Sequence, residues 1–348
     1  MSSALRALGA ALALAISSSG VAQQPATPAV DAALVRYASS ADSVRLPDGR
    51  TLHVVCMGQG SPVVILTAGS SGWSENWSQI QPAVAAKTRV CAWDRAGFGL
   101  SPGVGKPQTI DQTTTDLETA LKAGRIGGPY VAVGVSFGGF ESLLLADREP
   151  SKVVGMVLVD PSFPDQNERL KRAAPVLTAW DSTHPPPFIA ILQTCAADLR
   201  SGTLRHGGPD PQGCLHPHWP PNYPPELRAA LDKAMAEAAP GTIAANLEGS
   251  QMALNSEIAI KPDRNYGDMP LIVLTAGVVQ GRPDIPADLK AQVPLVQAEW
   301  RRAHEDLAAL STRGVDRVVP DSSHAGIPSA VIIETIEEVV DQARRAGR

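Results

Sequence analysis

Short apolar runs alternate with helical patterns along much of this 348-residue chain. Three of the runs are residues 63–67, 130–135 and 153–159, and a helical pattern over residues 109–123 lies between the first two. Apolar runs of this length that alternate with helices are typical of parallel strands buried on both faces. The pattern therefore predicts an α/β fold in which helices cover both faces of one sheet.

The strand–helix order has one long interruption. Residues 163–268 contain helical pieces and proline clusters but no strand pattern, and strand–helix order then returns to the end of the chain. We therefore expect a sheet domain formed by residues 43–162 and 269–348, with residues 163–268 inserted as a mostly helical cap. The sheet domain should open with a hairpin that turns at Pro47-Asp48-Gly49.

The N-terminus has the pattern of an export signal. Arg6 precedes an apolar run, Leu8 to Ile16, and the small residues Gly20 and Ala22 flank Val21. This predicts a signal peptide over residues 1–22, a linker over residues 23–42, and an exported protein, periplasmic or secreted. The apolar run is too short to span a bilayer, and we expect no membrane span elsewhere.

Composition excludes one large class of partner. The net charge is −5, the pI is near 5.8 and aromatic residues make up 4% of the chain. Proteins that bind nucleic acid usually present a basic face and stacking aromatic side chains, so no nucleic-acid partner is expected. An even set of cysteines in an exported chain favours disulfides, although sequence alone allows three pairings of Cys56, Cys91, Cys195 and Cys214.

The most informative motif is Gly134-Val-Ser136-Phe137-Gly138, which follows an apolar strand and precedes a helix. A serine at such a strand-to-helix turn is held with its hydroxyl exposed above the sheet, and the small flanking residues let the backbones approach each other. The motif predicts that Ser136 is a catalytic nucleophile. The amide of Phe137, at the N-terminus of the helix, would be one oxyanion donor.

Two further loops supply candidate partners. His324 follows the last predicted strand, which makes it the candidate general base among the seven histidines. The loop after residues 63–67 is rich in small residues, and the backbone amide of Ser70 is the candidate for the second oxyanion donor, with Ser71 as the alternative.

Together these segments resemble the α/β-hydrolase family along nearly all of the mature chain, and in particular its lipase, esterase and aminopeptidase-like members with an inserted cap. The resemblance includes the segments Cys91 to Ser101 and Val157 to Pro161. It implies that Asp94 and Arg95 are structural. One departure is Ala68, where many relatives carry a histidine.

The resemblance also bears on the acid of the triad and on the disulfides. Some relatives place the acid after the sixth strand, where Asp160 stands, and Asp284 in a later loop is the alternative acid. The family's strand order sets the second strand beside the fourth, which implies the pairs Cys56–Cys91 and Cys195–Cys214. A zinc site formed by Cys195, Cys214, His216 and His218 is the competing hypothesis.

The sequence thus predicts an exported serine hydrolase that cleaves a carboxylic ester of a small acyl substrate through Ser136, His324 and Asp160. Aminopeptidase, amidase or lactonase activity on the same triad is an alternative, and a lyase or a non-catalytic binding protein on the same fold are others. Dehalogenase and epoxide-hydrolase activities are disfavoured, because such relatives carry Asp where Ser136 stands. No metal or organic cofactor is implied.

Overall fold

The computed structural model describes residues 30–250, 261–278 and 282–346. The predicted signal peptide, residues 1–22, lies outside these described residues. None of the helices within them is both long enough and apolar enough to cross a bilayer.

The described residues form one sheet of eight strands in the order β1-β2-β4-β3-β5-β6-β7-β8. The β1–β2 and β2–β4 pairs are antiparallel, whereas every later pair is parallel, as the alternating sequence pattern predicts. The strands are β1 Ser43–Arg45, β2 Thr51–Met57, β3 Val63–Thr67, β4 Val90–Trp93, β5 Tyr130–Val135, β6 Val153–Val159, β7 Leu271–Ala276 and β8 Gly314–Val319.

Ten α-helices are described along the same residues. The second helix begins at the predicted place, because Thr109 caps it. The Thr109 hydroxyl accepts a hydrogen bond from the backbone amide of Gln112, and the side-chain oxygen of Gln112 accepts one from the backbone amide of Thr109. The helices are α1 Gln81–Ala85, α2 Ile110–Ala123, α3 Gly138–Arg148, α4 Gln166–Ala173, α5 Pro175–Thr183, α6 Pro187–Ser201, α7 Pro225–Glu237, α8 Pro240–Ser250, α9 Val293–Ala308 and α10 Ser329–Ala346.

Each face of the sheet is covered by its own set of helices. Along β3, Ile65 packs in a cluster with Leu117 of α2 and Leu307 of α9. Leu66, the next residue, points to the opposite face and packs in a cluster with Ile336 of α10. The sheet is therefore buried on both sides, and the predicted α/β architecture is confirmed.

The predicted linker, residues 23–42, is wrong where the structure describes it. Residues Ala32–Ala38 and Ser40–Asp42 form short 3₁₀ helices, and the side chains of Leu34 and Tyr37 are buried. The Tyr37 hydroxyl donates to Oε1 of Gln81 at 2.8 Å. The two buried side chains hold this segment against the rest of the protein. The small residues around them, mostly Ala and Ser, gave no sequence pattern that predicts this packing.

Between β6 and β7 the described residues form helices α4 to α8 and no strand. The aromatic side chains of this region have separate roles, since Phe188 is exposed whereas Trp219 and Tyr223 pack in a cluster with Leu34 and Tyr37. A mostly helical insertion thus interrupts the sheet domain.

Both expected cysteine pairs are bonded: Cys56 with Cys91, and Cys195 with Cys214. The first bond has a simple cause, because the two residues are direct partners in the antiparallel β2–β4 register. With the sulfurs of Cys195 and Cys214 joined to each other, neither is a thiolate available to a metal, so the zinc hypothesis for this cluster is wrong.

Replacing Cys56 and Cys91 together by Ala should lower the free energy of unfolding by about 2–4 kcal/mol, because the unfolded chain loses a 35-residue loop constraint. Urea unfolding measures the change. The matched control is the Cys195→Ala, Cys214→Ala pair, whose 19-residue separation predicts a loss smaller by roughly 0.5 kcal/mol. An unchanged unfolding midpoint in the first variant would contradict a bond that closes this loop.

Candidate active site

Ser136 lies between the end of β5 and the start of α3, with φ of 52°. This is the left-handed region, which a residue with a Cβ adopts only at a cost of about 1–2 kcal/mol. Backbone hydrogen bonds hold it there: its amide donates to the carbonyl of Val159 at 3.0 Å, and its carbonyl accepts from Gly139 and Ser162. The strand-to-helix turn predicted from the sequence therefore has the strained geometry of a nucleophile elbow.

The flanking glycines are required by close backbone contacts. A Cβ on Gly134 would lie 2.2 Å from the carbonyl oxygen of Gly138, and a Cβ on Gly138 would lie 2.4 Å from the carbonyl oxygen of Thr67. Since no side chain fits at either position, the Gly-x-Ser-x-Gly spacing follows from the packing of α3 against the ends of β3 and β5.

Three loops at the carboxyl ends of β5, β6 and β8 bring Ser136, Asp160 and His324 together. Nε2 of His324 lies 2.9 Å from Oγ of Ser136. Nδ1 of the same ring lies 2.5 Å from Oδ2 of Asp160. The three predicted residues thus form one continuous hydrogen-bonded chain with the imidazole in the middle.

Asp160 is buried, with 2% of its surface exposed. Its Oδ1 accepts from the amide of Ala276 at 2.9 Å and from Nε1 of Trp300 at 3.2 Å, so Oδ2 is left to face His324. Burial raises the pKa of Asp160, but the hydrogen bonds from His324 and Ala276 outweigh it, and the pKa lies below its ordinary value. The carboxylate is therefore ionised at neutral pH and oriented on both oxygens.

A second histidine lies behind this carboxylate. His304 is fully buried, and its Nε2 donates to the carbonyl of Pro161, the residue after Asp160, at 2.9 Å. Burial lowers the pKa of His304, so the imidazole is neutral at pH 7 and does not compete as a cation for Asp160. The side chain of His324, by contrast, is half exposed.

Asp284, the alternative acid, is not brought to this site. Its Oδ2 lies 2.6 Å from Nη2 of Arg282, and the side chain is 48% exposed. Arg282 also pairs with Asp181 of α5. The structure therefore does not bring this alternative acid to His324: Asp284 pairs at the surface with Arg282 of its own loop, and Arg282 links that loop to helix α5.

The predicted oxyanion loop runs beside Ser136. A Cβ on Gly69 would lie 3.5 Å from the Cβ of Ser136. Within the described part of the chain, the amides of Ser70 and Phe137 donate to no acceptor. Both residues line one cavity of about 30 Å³, to which Asn246 of α8 also contributes and Ser71 does not. Two free amides flanking one serine could hold a developing negative charge.

Two residues around the site were not recognised from the sequence as part of it. Arg95, which follows β4, donates to the carbonyls of Ala68 and Gly69 and to the carboxylate of Glu141 in α3. Glu141 could have been recognised from the sequence, because it is a single carboxylate within the mostly apolar run from Phe140 to Leu145. Such a carboxylate is almost never fully buried unless it is paired.

The pH dependence of stability should separate Asp160 from Asp284. Because the folded pKa of Asp160 is depressed, its contribution is present above the unfolded pKa of about 3.9 and is lost as pH falls through the folded value. Asp160→Asn should therefore be less stable than the wild type at pH 7, by a difference that shrinks below pH ~4. Urea unfolding from pH 7 to pH 2 measures it.

Asp284→Asn is the matched control. Its carboxylate is exposed, so the substitution should leave the free energy of unfolding close to that of the wild type at every pH. Equal effects of the two substitutions, or a difference for Asp160→Asn with no pH dependence, would contradict the environment described for Asp160.

Comparisons with known proteins agree with the fold described above. Residues 62–185 match the protein family described as alpha/beta hydrolase fold. Lipase LipV of Mycobacterium tuberculosis is 32% identical over 170 residues, which is 43% of this chain and 64% of that protein. YqjL of Bacillus subtilis is 32% identical over 108 residues, 31% of this chain and 43% of that one. The chain thus spans less than two thirds of the length of these curated relatives.

Solved structures resemble the chain over more of its length. An esterase from Thermogutta terrifontis superposes with a TM-score of 0.51 at 19% identity, covering 86% of this chain and 98% of that one. The epoxide hydrolase CorEH superposes with a TM-score of 0.53 at 16% identity, covering the same shares. At such identities the likeness extends to the fold alone. Sheet order, family match and structural likeness together show that this chain has the alpha/beta hydrolase fold.

Proposed function

We propose that this protein is a serine hydrolase that cleaves a carboxylic ester, or a related acyl bond, by way of an acyl-enzyme. The proposal rests on two linked hydrogen bonds. Ser136 Oγ lies 2.9 Å from His324 Nε2, and His324 Nδ1 lies 2.5 Å from Asp160 Oδ2. A nucleophile, a base and an orienting carboxylate within hydrogen-bond reach are the requirement for this chemistry.

In the first step, Ser136 Oγ attacks the acyl carbon while its proton passes to Nε2 of His324. Asp160 keeps Nδ1 protonated, so that Nε2 is free to accept, and it stabilises the imidazolium that forms. His324 then gives the proton to the leaving group as the bond to the acyl carbon breaks. Water repeats the sequence on the acyl-enzyme and releases the acid, with Ser136 restored.

We assign the oxyanion to the amides of Phe137 and Ser70. Support comes from their free N–H groups, from the cavity that both residues line, and from the residue before Ser70, since a Cβ on Gly69 would lie 3.5 Å from the Cβ of Ser136. Charge develops on the substrate oxygen only as the tetrahedral state forms, so donors held at that place lower the barrier rather than strengthen substrate binding.

Residues 163–268 are proposed to act as a cap over this site. Support comes from helix α8, whose Ala245 and Asn246 line the cavity together with Ser70 and Phe137. The amide of Asn246 donates from Nδ2 to the carbonyl of Gly97 at 3.1 Å, which ties α8 to the loop after β4.

We also propose that the protein is exported, to the periplasm or beyond. The proposal rests on the signal-like residues 1–22 and on the two bonded cysteine pairs. Disulfides persist in oxidising compartments and are rare in the cytosol.

Hydrolysis of p-nitrophenyl esters tests the proposed chemistry. Ser136→Ala should reduce kcat by about 10⁶-fold, which brings turnover to background, because the nucleophile is gone. Asp160→Asn should reduce kcat by roughly 10⁴-fold, because the imidazole is no longer held in the right tautomer. Initial rates monitored through nitrophenolate release measure both changes.

Asp284→Asn is again the matched control, and its kcat should equal that of the wild type. Turnover that survives in Ser136→Ala would contradict the nucleophile, and a loss in Asp284→Asn equal to that in Asp160→Asn would contradict the acid. Cleavage of aminoacyl amides or lactones alone, with the same Ser136 dependence, would change the substrate class and leave the triad in place.

A further inference from the structure

The guanidinium of Arg95 lies at the centre of a buried cluster next to the nucleophile. Nη1 donates to the carbonyl of Gly69 at 2.8 Å, and Nη2 donates to the carbonyl of Ala68 at 2.6 Å. Nε donates to Oε1 of Glu141 at 2.7 Å, and Nη2 also donates to the other carboxylate oxygen. Arg95 is 4% exposed and Glu141 is fully buried.

This arrangement needs the shape of a guanidinium and not only its charge. One planar group contacts two successive carbonyls of the loop after β3 and a carboxylate of α3, the helix that follows Ser136. A lysine ammonium is a compact point charge and cannot hold these three acceptors in one plane. The ring of Phe137 lies 5.2 Å from Cζ of Arg95, which also packs the guanidinium against the nucleophile turn.

Because the peptide bond is planar, the contact between Arg95 and the Gly69 carbonyl also constrains the direction of the Ser70 amide. The Gly69 carbonyl and the Ser70 amide N–H belong to the same peptide unit, and in a trans peptide the two point in opposite directions. When Arg95 fixes the Gly69 oxygen at 2.8 Å, it also fixes the direction of the Ser70 N–H. No other donor to the Gly69 carbonyl is found within the described residues except the Gly72 amide, at 3.1 Å.

We propose that Arg95, anchored by Glu141, is a positioning residue that orients the Ser70 amide as the second oxyanion donor. The inference rests on the proposed function. It explains how a loop of small residues, which could adopt many conformations, holds one amide toward the reacting oxygen. It also joins the two oxyanion donors into one unit, because Glu141 lies on the helix that begins after Phe137.

The test compares Arg95→Lys with Arg264→Lys. Arg264 is a matched control: it is also buried, and its guanidinium pairs with Asp147 near the other end of α3, with Nη2 2.7 Å from Oδ2. Both variants lose a buried guanidinium pair on the same helix, but only Arg95 touches the oxyanion loop. A stability effect alone would therefore appear in both variants.

Arg95→Lys should lower kcat and kcat/KM equally, by about 10²–10³-fold, with KM unchanged, because the lost interaction exists only in the transition state. The inhibition constant of phenylboronic acid, which forms a tetrahedral adduct, should rise by the same factor. Arg264→Lys should have the same kcat and the same inhibition constant as the wild type. Glu141→Gln, which retains one carbonyl acceptor for Arg95, serves if Arg95→Lys does not fold, and its kcat should fall in the same direction.

A second readout does not depend on turnover. In ¹⁵N relaxation, the Ser70 amide should be ordered in the wild type, with an order parameter near ~0.85, and should fall below ~0.6 in Arg95→Lys but not in Arg264→Lys. An ordered Ser70 amide in Arg95→Lys, or an unchanged kcat in a folded variant, would overturn the inference. A wild type that cleaves no ester, aminoacyl amide or lactone, but whose Ser70 order still depends on Arg95, would overturn the proposed function and keep the positioning role.

Discussion

The rest of the site depends on the left-handed backbone of Ser136, with φ of 52°, at the turn from β5 into α3. The turn requires α3 to pack closely on the sheet. This close packing is possible because Gly134 and Gly138 carry no side chain. The strain is compensated by the backbone bonds to Val159, Gly139 and Ser162. The conformation leaves Oγ exposed above the sheet, within reach of groups on neighbouring strand ends.

The topology of the sheet supplies those groups from distant parts of the sequence. His324 is 188 residues from Ser136 and 164 residues from Asp160, yet all three follow strands whose carboxyl ends meet at one edge of the sheet. Parallel strands force this convergence, since every crossover returns the chain to the same end. Arg95, which follows β4, adds a fourth strand end, so that the proposed nucleophile, base, acid and oxyanion loop are all held by the ends of one rigid sheet.

Sequence reasoning predicted the strand–helix alternation, Ser136 and His324, because each depends on a local pattern at a strand end. The sequence placed Asp160 first but left Asp284 open as the alternative acid, because tertiary contacts decide between them: Asp284 pairs with Arg282, which also pairs with Asp181 of helix α5. The Arg95–Glu141 pair joins residues 46 positions apart, and only the packing of α3 beside the β4 turn reveals it.

Reaction of the protein with a fluorophosphonate, followed by intact-mass analysis and peptide mapping, tests directly whether Ser136 is the nucleophile. A hydroxyl activated by a neighbouring imidazole is phosphonylated, whereas an ordinary serine is not. We expect one adduct per chain, located on Ser136, and none in Ser136→Ala or after replacement of His324 by Ala. An unlabelled wild type, or a label on another residue, would contradict the assignment of Ser136 as the nucleophile and favour a binding protein built on the same fold.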